Sequence, residues 1–314
     1  MLQSLVEVLI HAQCLTGHQR VLLRAPLNLF LQDVSRDGRV LLTTDERRLD
    51  VFAGTTGNKQ EKDLTWFAES WLQHISDDGK FIVFDADDYK IYMRNTDGSP
   101  AVLLGRGQNW GPSPDGKWVL AIPAPDNEKF LLIPTGAGET RTVTTPKLHN
   151  VNGLWLPDGQ HLLMVALDDS GQLGTYLQSI AGGDPRLVGP ASVAAVAVAP
   201  DGRSFLGATP DRKYAIYSVD GGAAREIPDL TAGDRIIQWL NDKRTLLVGP
   251  RLARSVPVHE FDLVTGRRKL WRQFDPADKV GLTGMYVGVS PDRNHYIYAA
   301  GRNFSALYVV DGLK

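Results

Sequence analysis

The stretch Val151-Asn-Gly-Leu-Trp155-Leu156-Pro157-Asp158-Gly159-Gln160-His161-Leu-Leu-Met-Val-Ala166 sets two short apolar runs on either side of one turn. The turn chemistry is specific. Proline presets φ for the first turn position, Asp158 accepts a local backbone hydrogen bond, and Gly159 supplies positive φ. A hairpin closed by a left-handed glycine follows. Downstream, Asp168-Asp-Ser-Gly171 reads as a loop and Leu173-Gly-Thr-Tyr-Leu-Gln178 as a third strand. Ala181-Gly-Gly183 turns the chain again into a fourth strand, Pro185-Arg-Leu-Val188. Four strands and two turn signals make one unit.

The hairpin phrase recurs as Ser35-Arg36-Asp37-Gly38, Ser76-Asp77-Asp78-Gly79, Ser113-Pro114-Asp115-Gly116 and Ala199-Pro200-Asp201-Gly202. Two eroded copies are Leu240-Asn241-Asp242-Lys243 and Ser290-Pro291-Asp292-Arg293. The copies lie roughly 40 residues apart, the length of a four-stranded propeller blade. The same grammar runs through Lys80–Phe84, Lys90–Arg94, Thr96-Asp-Gly98 and Ala101–Leu104, and through Arg203–Gly207, Tyr214–Ser218, Asp220-Gly-Gly222 and Arg225–Ile227. First strands fall near Asn28–Val34, Trp71–Ile75, Gln108–Pro112, Val151–Leu156, Val193–Val198, Arg235–Trp239 and Tyr286–Val289. The expected fold is an all-β, seven-bladed β-propeller of four-stranded antiparallel blades, with six or eight blades as alternatives. It forms a single domain over 1–314. The last unit has three strands, so Val21–Arg24, within the N-terminal strands of 1–25, is expected to close the ring and protect its edges. Leu5–Ile10 reads as a partly surplus strand.

Composition narrows the function classes. The chain has 314 residues, 43% of them hydrophobic, and a formal net charge of −2. Its charges are interspersed and leave no electrostatic footprint for nucleic acid or an anionic membrane. Cys14 is the only cysteine, so neither an internal disulfide nor a cysteine-based metal site is available. The first ten residues lack a basic n-region, Glu7 interrupts their apolar run, and no stretch approaches the ~18 apolar residues of a bilayer span. No signal peptide or transmembrane segment is expected, and the compartment is left open. An extracytoplasmic site is compatible with a fragment of a membrane-anchored protein.

Ser-Pro-Asp-Gly followed by Lys or Arg and an apolar strand resembles the WD40-like (PD40) repeat of TolB-type bacterial propellers, over essentially the whole chain. Thr96–Val102, Ser113–Val119, Pro134–Glu139, Leu263–Arg267 and the ending Leu307–Lys314 are also similar to the propeller region C-terminal to bacterial eukaryotic-like serine/threonine kinases. That resemblance implies a sensor or protein-interaction module and carries no catalytic residues. The kinase motifs themselves, a Gly-x-Gly-x-x-Gly loop, His-Arg-Asp and Asp-Phe-Gly, do not occur.

The remaining constellations favour structural roles. The Asp-Gly pairs, densest at Asp85-Ala-Asp87-Asp88 and Asp168-Asp169, are oxygen-rich like calcium loops, but lack the alternating ligands and closing Glu of an EF-hand. They read as turns. The seven histidines form no metal-ligand spacing, although His74 and His149 lie at or near first strands that would line a channel. Gly-x-Ser-x-Gly is absent. Gly105-Arg-Gly107 and Gly136-Ala-Gly138 precede no helix and offer no phosphate cradle. Trp155 and Trp239 sit in the register of Val34, Ile75, Val198 and Val289, which points to inter-blade core; Trp118 is assigned there too. Trp71 and Trp110 lie nearer the channel mouth, where aromatics anchor partners.

The sequence therefore points to a non-catalytic propeller that binds a protein or peptide, with no cofactor and no metal. A small molecule in the channel is a further option. The contact residues expected from position are Trp71, Asn109, Trp110, His149, Asn150, Arg235 and Tyr286. The alternatives are a propeller lactonase, lyase or hydrolase with a metal in the channel, and a TolB-like envelope scaffold.

Overall fold

A computed structural model describes residues 8–13, 19–25, 29–58, 60–68, 70–251 and 253–311; the side chains of 8–25, 71–73 and 87 lie outside the description. Among the described residues the regular structure is β throughout, apart from one 3-10 turn at Asp87–Tyr89. The chain divides into two compact units, one of 49–277 with 284–300 and one of 1–48, 278–283 and 301–314.

In the larger unit, five four-stranded sheets follow one another with each strand hydrogen-bonded to the next. Blade 1 is Trp71–Ile75, Phe81–Ala86, Lys90–Asn95 and Val102–Arg106. Blade 3 is Leu148–Trp155, His161–Asp168, Leu173–Ser179 and Arg186–Leu187. Blades 2, 4 and 5 begin at Gln108–Pro112, Ala194–Val198 and Asp234–Trp239. All pairings within them are antiparallel. A sixth sheet runs in the order Leu282–Val289, His295–Val310, Val40–Thr55 and Leu29–Val34, with Lys62–Asp63 also paired to Val40–Thr55.

Each strand's composition follows its place in the blade. The second strands are buried on both faces and carry continuous apolar runs, Ile82–Phe84 and Leu162–Ala166 being examples. The fourth strands of blades 3 and 4, Arg186–Leu187 and Arg225–Glu226, are short, exposed and charged, which protects an open sheet edge. Adjacent blades pack face to face. Val83 and Ile91 of blade 1 meet Val119 and Ile133 of blade 2. Leu163 and Val165 of blade 3 meet Phe205 and Tyr217 of blade 4. Phe274 of blade 5 lies 5.3 Å from Tyr296 and 5.7 Å from Tyr298 of blade 6. Val51 and Ile297 of blade 6 pack on Ile82 and Phe84 of blade 1, completing the circuit. Each fully buried aliphatic or aromatic side chain contributes about 2 kcal/mol by transfer from water.

The recurring turn is one hydrogen-bond circuit. In blade 1 the Ser76 N–H donates to the Phe81 carbonyl (2.9 Å) and the Gly79 N–H to the Ser76 carbonyl (2.9 Å). The Ser76 hydroxyl donates to Asp78 (2.8 Å) and accepts the Phe81 N–H (3.1 Å), while Asp78 accepts the Lys80 N–H (3.1 Å). Ser113 and Ser290 repeat this arrangement. Where leucine replaces the serine, the aspartate takes the second amide itself: Asp158 accepts the N–H groups of Gln160 and His161, and Asp242 those of Arg244 and Thr245. These carboxylates are turn acceptors, the role the sequence assigned them.

Two expectations differ from the structure. Seven repeat phrases meet six blade-like sheets among the described residues: Ser35-Arg36-Asp37-Gly38 turns a hairpin, Leu29–Val34 with Val40–Thr55, within the sixth sheet, and its first strand is almost wholly exposed. The closing strand also differs. Val21–Arg24 lies in Gln19–Ala25, which pairs with Val8–Gln13, and blade 6 is completed by residues 49–55 and Lys62–Asp63. Leu49, Val51 and Ala53 alternate inward onto the hydrophobic cluster there. Of Leu5–Ile10, residues 5–7 lie outside the described residues.

In the smaller unit, Thr283 Oγ1 donates to the Gly301 carbonyl (2.9 Å), and Arg302 reaches the carbonyls of Val280 (2.6 Å) and Asp278 (2.9 Å).

Candidate functional site

The first strands of blades 1 to 5 each carry a register shift two to four residues before the turn. A β-bulge bends a strand and re-aims the residue within it. Here the bulged positions Trp110, Val196 and Ile237 line a common cavity of about 370 Å³, to which all six blades contribute. The second residue of each turn phrase forms one rim: Asp77, Pro114, Pro157, Pro200, Asn241 and Pro291. The wall carries Trp110, Trp155, Trp239 and Tyr286, together with His74, Arg235 and Gln238.

Arg235 is the only arginine or lysine on this lining among the described residues. Its guanidinium lies 3.8 Å from the ring centroid of Tyr286, and Nη1 donates to the Val287 carbonyl at 3.3 Å. Stacking on a ring and a single carbonyl bond fix the guanidinium's plane. Burial, with the Arg235 charge acting second, pulls His74 down to about 4, so its imidazole is neutral at pH 7. Gly111, at φ +95°, lets the imidazole approach the bulge; a Cβ there would stand 3.1 Å from His74 Nδ1. The Gly111 carbonyl accepts the Trp155 indole N–H at 3.4 Å. Asp77 is open to the cavity solvent yet surrounded by protein. Burial pushes it up to about 6, helped by the charges of Asp78 and Asp292.

Three of the seven residues singled out from sequence, Trp110, Arg235 and Tyr286, lie on this lining. Asn109 is fully buried beneath it. Its backbone N–H (3.1 Å) and Nδ2 (2.6 Å) donate to the carboxylate of Asp85, which burial holds up at about 6 against those hydrogen bonds. His149 and Asn150 sit at the opposite end of their strand from the turn. His149 Nδ1 is 3.4 Å from Asn127 Oδ1, and Asn150 Nδ2 donates to Thr145 Oγ1 at 2.8 Å. Trp71 opens the first strand of blade 1, and its side chain lies outside the described residues. Trp155 and Trp239 do pack between blades, as their register implies, but they also reach the cavity. Trp118 packs on the cluster between blades 2 and 3, under the Arg141 guanidinium at 4.6 Å. The rim residues were not singled out in the sequence, although the second position of each phrase was on view as a column of proline broken by Asp77 and Asn241.

No protein-family model matches the chain, and no curated protein matches it. Solved structures do. The putative TolB from Agrobacterium tumefaciens is 18% identical at a TM-score of 0.62, covering 82% of this chain and 99% of its own. An oligogalacturonate lyase in complex with manganese is 12% identical at a TM-score of 0.51, covering 85% of this chain and 76% of its own. A chain of a nidogen/laminin complex is 11% identical at a TM-score of 0.56, covering 76% and 96%. Likeness at such identities establishes the architecture, a β-propeller. No helix among the described residues is long and apolar enough to cross a membrane.

Proposed function

We propose that this propeller is a non-catalytic binding module whose partner is a protein or peptide segment received at the central cavity. One observation carries the reading: strands from all six blades converge on a single cavity walled by three indoles, a phenol and one guanidinium. Trp, Tyr and Arg are the side chains that concentrate binding energy in recognition surfaces. A ring of blades locked face to face holds them at fixed separations, which lowers the ordering cost of binding. The nidogen/laminin neighbour, a propeller-like chain solved with a protein partner, supports the same direction. The blade phrases shared with kinase-associated propellers extend the proposal to a sensor role in signalling.

The manganese-bound lyase raises the enzymatic alternative. Of metal-type side chains the lining supplies His74 and Asp77, and no group of three His, Cys, Asp or Glu is gathered among the described residues. The binding reading uses more of what the cavity presents.

A displayed peptide library selected on the intact protein and re-tested on Trp110→Ala tests the proposal. Selected peptides should lose about tenfold or more in affinity on the variant, a loss of about 1.4 kcal/mol, while its melting curve stays cooperative. Equal binding to both proteins would move the site away from the cavity.

A further inference from the structure

A guanidinium only donates. The Arg235 guanidinium lies on the cavity lining and pairs with no carboxylate among the described residues; it stacks on Tyr286 and donates to a single backbone carbonyl. The acidic group on the lining, Asp77, belongs to the turn of blade 1, where the charges acting on it are those of Asp78 and Asp292. Arg235 is thus a charged donor whose fork has bonding capacity left for a guest. A carboxylate supplies up to four lone-pair sites and matches the guanidinium fork in a bidentate pair.

Resting on the binding reading above, we infer that the cavity receives a carboxylate carried on an apolar or aromatic body, with Arg235 as its counter-ion. The volume of about 370 Å³ lies near the lower bound of small-ligand clefts, roughly 300–1,000 Å³, so the guest is a chain end or a small acid and not a folded surface. The rings of Trp110, Trp155 and Tyr286 supply the apolar contact. A terminal carboxylate of a partner chain and a free aryl acid share this chemistry.

Titration with three probes tests the inference, followed by calorimetry and by quenching of tryptophan fluorescence: acetyl-Ala-Phe with a free carboxylate, the same dipeptide as its C-terminal amide, and phenylacetate. The free acids are expected to bind at least about tenfold more tightly than the amide. Arg235→Gln should erase that preference, bringing acid and amide to the same affinity. A tighter dipeptide acid points to a partner's chain terminus, and a tighter phenylacetate to a free small acid. The acid-to-amide ratio on the unmodified protein stands even if Arg235→Gln does not fold. Equal binding of acid and amide would overturn the carboxylate and leave the binding module intact. Failure of all three probes at about millimolar concentration, the weak limit of specific binding, would overturn it as well. Failure of the library-selected peptides too would remove the binding reading itself.

Discussion

Ser35-Arg36-Asp37-Gly38 and Ser76-Asp77-Asp78-Gly79 are nearly the same phrase and serve two different structures. Both serines donate through their hydroxyls to the aspartate two residues on, and both first strands carry a register shift before the turn. The Ser35 turn closes on Arg39, with the Ser35 N–H donating to the Arg39 carbonyl; the Ser76 turn closes one residue later, on Phe81. The Ser35 copy is exposed, and a Cβ on Gly38 would meet nothing within 4 Å. Ser76 and Gly79 are buried, and a Cβ on Gly79 would collide with the imidazole of His295 in blade 6. Local hydrogen bonding thus writes the hairpin in both copies, and what packs against the turn differs between them.

Four experiments sharpen or break that contrast. Gly79→Ala combines a left-handed backbone, φ +70°, with the His295 collision, and should cost about 2–4 kcal/mol in urea unfolding. Gly38→Ala, with open space at φ +83°, should cost only about 1 kcal/mol. Equal losses would mean that the backbone conformation alone sets the cost. Next in size is Ser76→Ala, which strips the Phe81 N–H of its acceptor in a buried turn and should cost about 1–3 kcal/mol. In Ser35→Ala water replaces the lost acceptor, and the change should be about 0.5 kcal/mol or less. Parallel values would remove burial as the discriminator.

Lys243 occupies the glycine position of the blade 5 turn at φ +64°. Lys243→Gly should stabilise the protein by about 0.5–1 kcal/mol, raising the melting temperature. A loss would show that the exposed ion pair with Asp201 (3.8 Å) outweighs backbone relief.

The smallest effect is a pH slope. Asp77 is raised to about 6 from 3.8, so the folded protein holds this proton more tightly than the unfolded chain. Its contribution to stability is complete below pH ~4 and is lost as pH rises through 6. His74, lowered to about 4 from 6.5, acts in the opposite sense over nearly the same window, favouring the fold as pH rises. Asp77→Asn should remove only the first effect. The difference in melting temperature between variant and parent should therefore grow in the variant's favour from pH 4 to pH 7 and level off above. A constant difference would show that Asp77 titrates normally.

What could be read in advance follows the same division. The strands of blades 1 to 5, their hairpins and the positions of Trp110, Arg235 and Tyr286 were legible because period-2 burial and turn chemistry act over a few residues. Burial of the turn was not. The Ser35 copy satisfies every local rule, and its exposure is a tertiary property. His149 and Asn150 were placed at the cavity because a strand's two ends look alike in sequence. The pairing of Asn150 with Thr145, and of its backbone N–H with the Asn127 carbonyl (2.9 Å), fixes them elsewhere. Asn109 has the polarity of a site residue but is committed to the buried Asp85. The closing strand at 49–55 was missed because its partner strand is more than two hundred residues away, although Leu49, Val51 and Ala53 already showed an inward face.

That last pairing has a consequence for biogenesis. Glu61 accepts from the phenols of Tyr296 (2.9 Å) and Tyr298 (2.6 Å), partners 235 and 237 positions away. Blades 1 to 5 can each mature as soon as their own ~40 residues leave the ribosome. Segment 49–63 must instead wait, apolar face uncovered, until translation delivers 295–300. Bringing such distant segments together is entropically slow, and the interval is when a nascent chain is most exposed to self-association. The last weld of the circle is thus the step at which a chaperone would matter most.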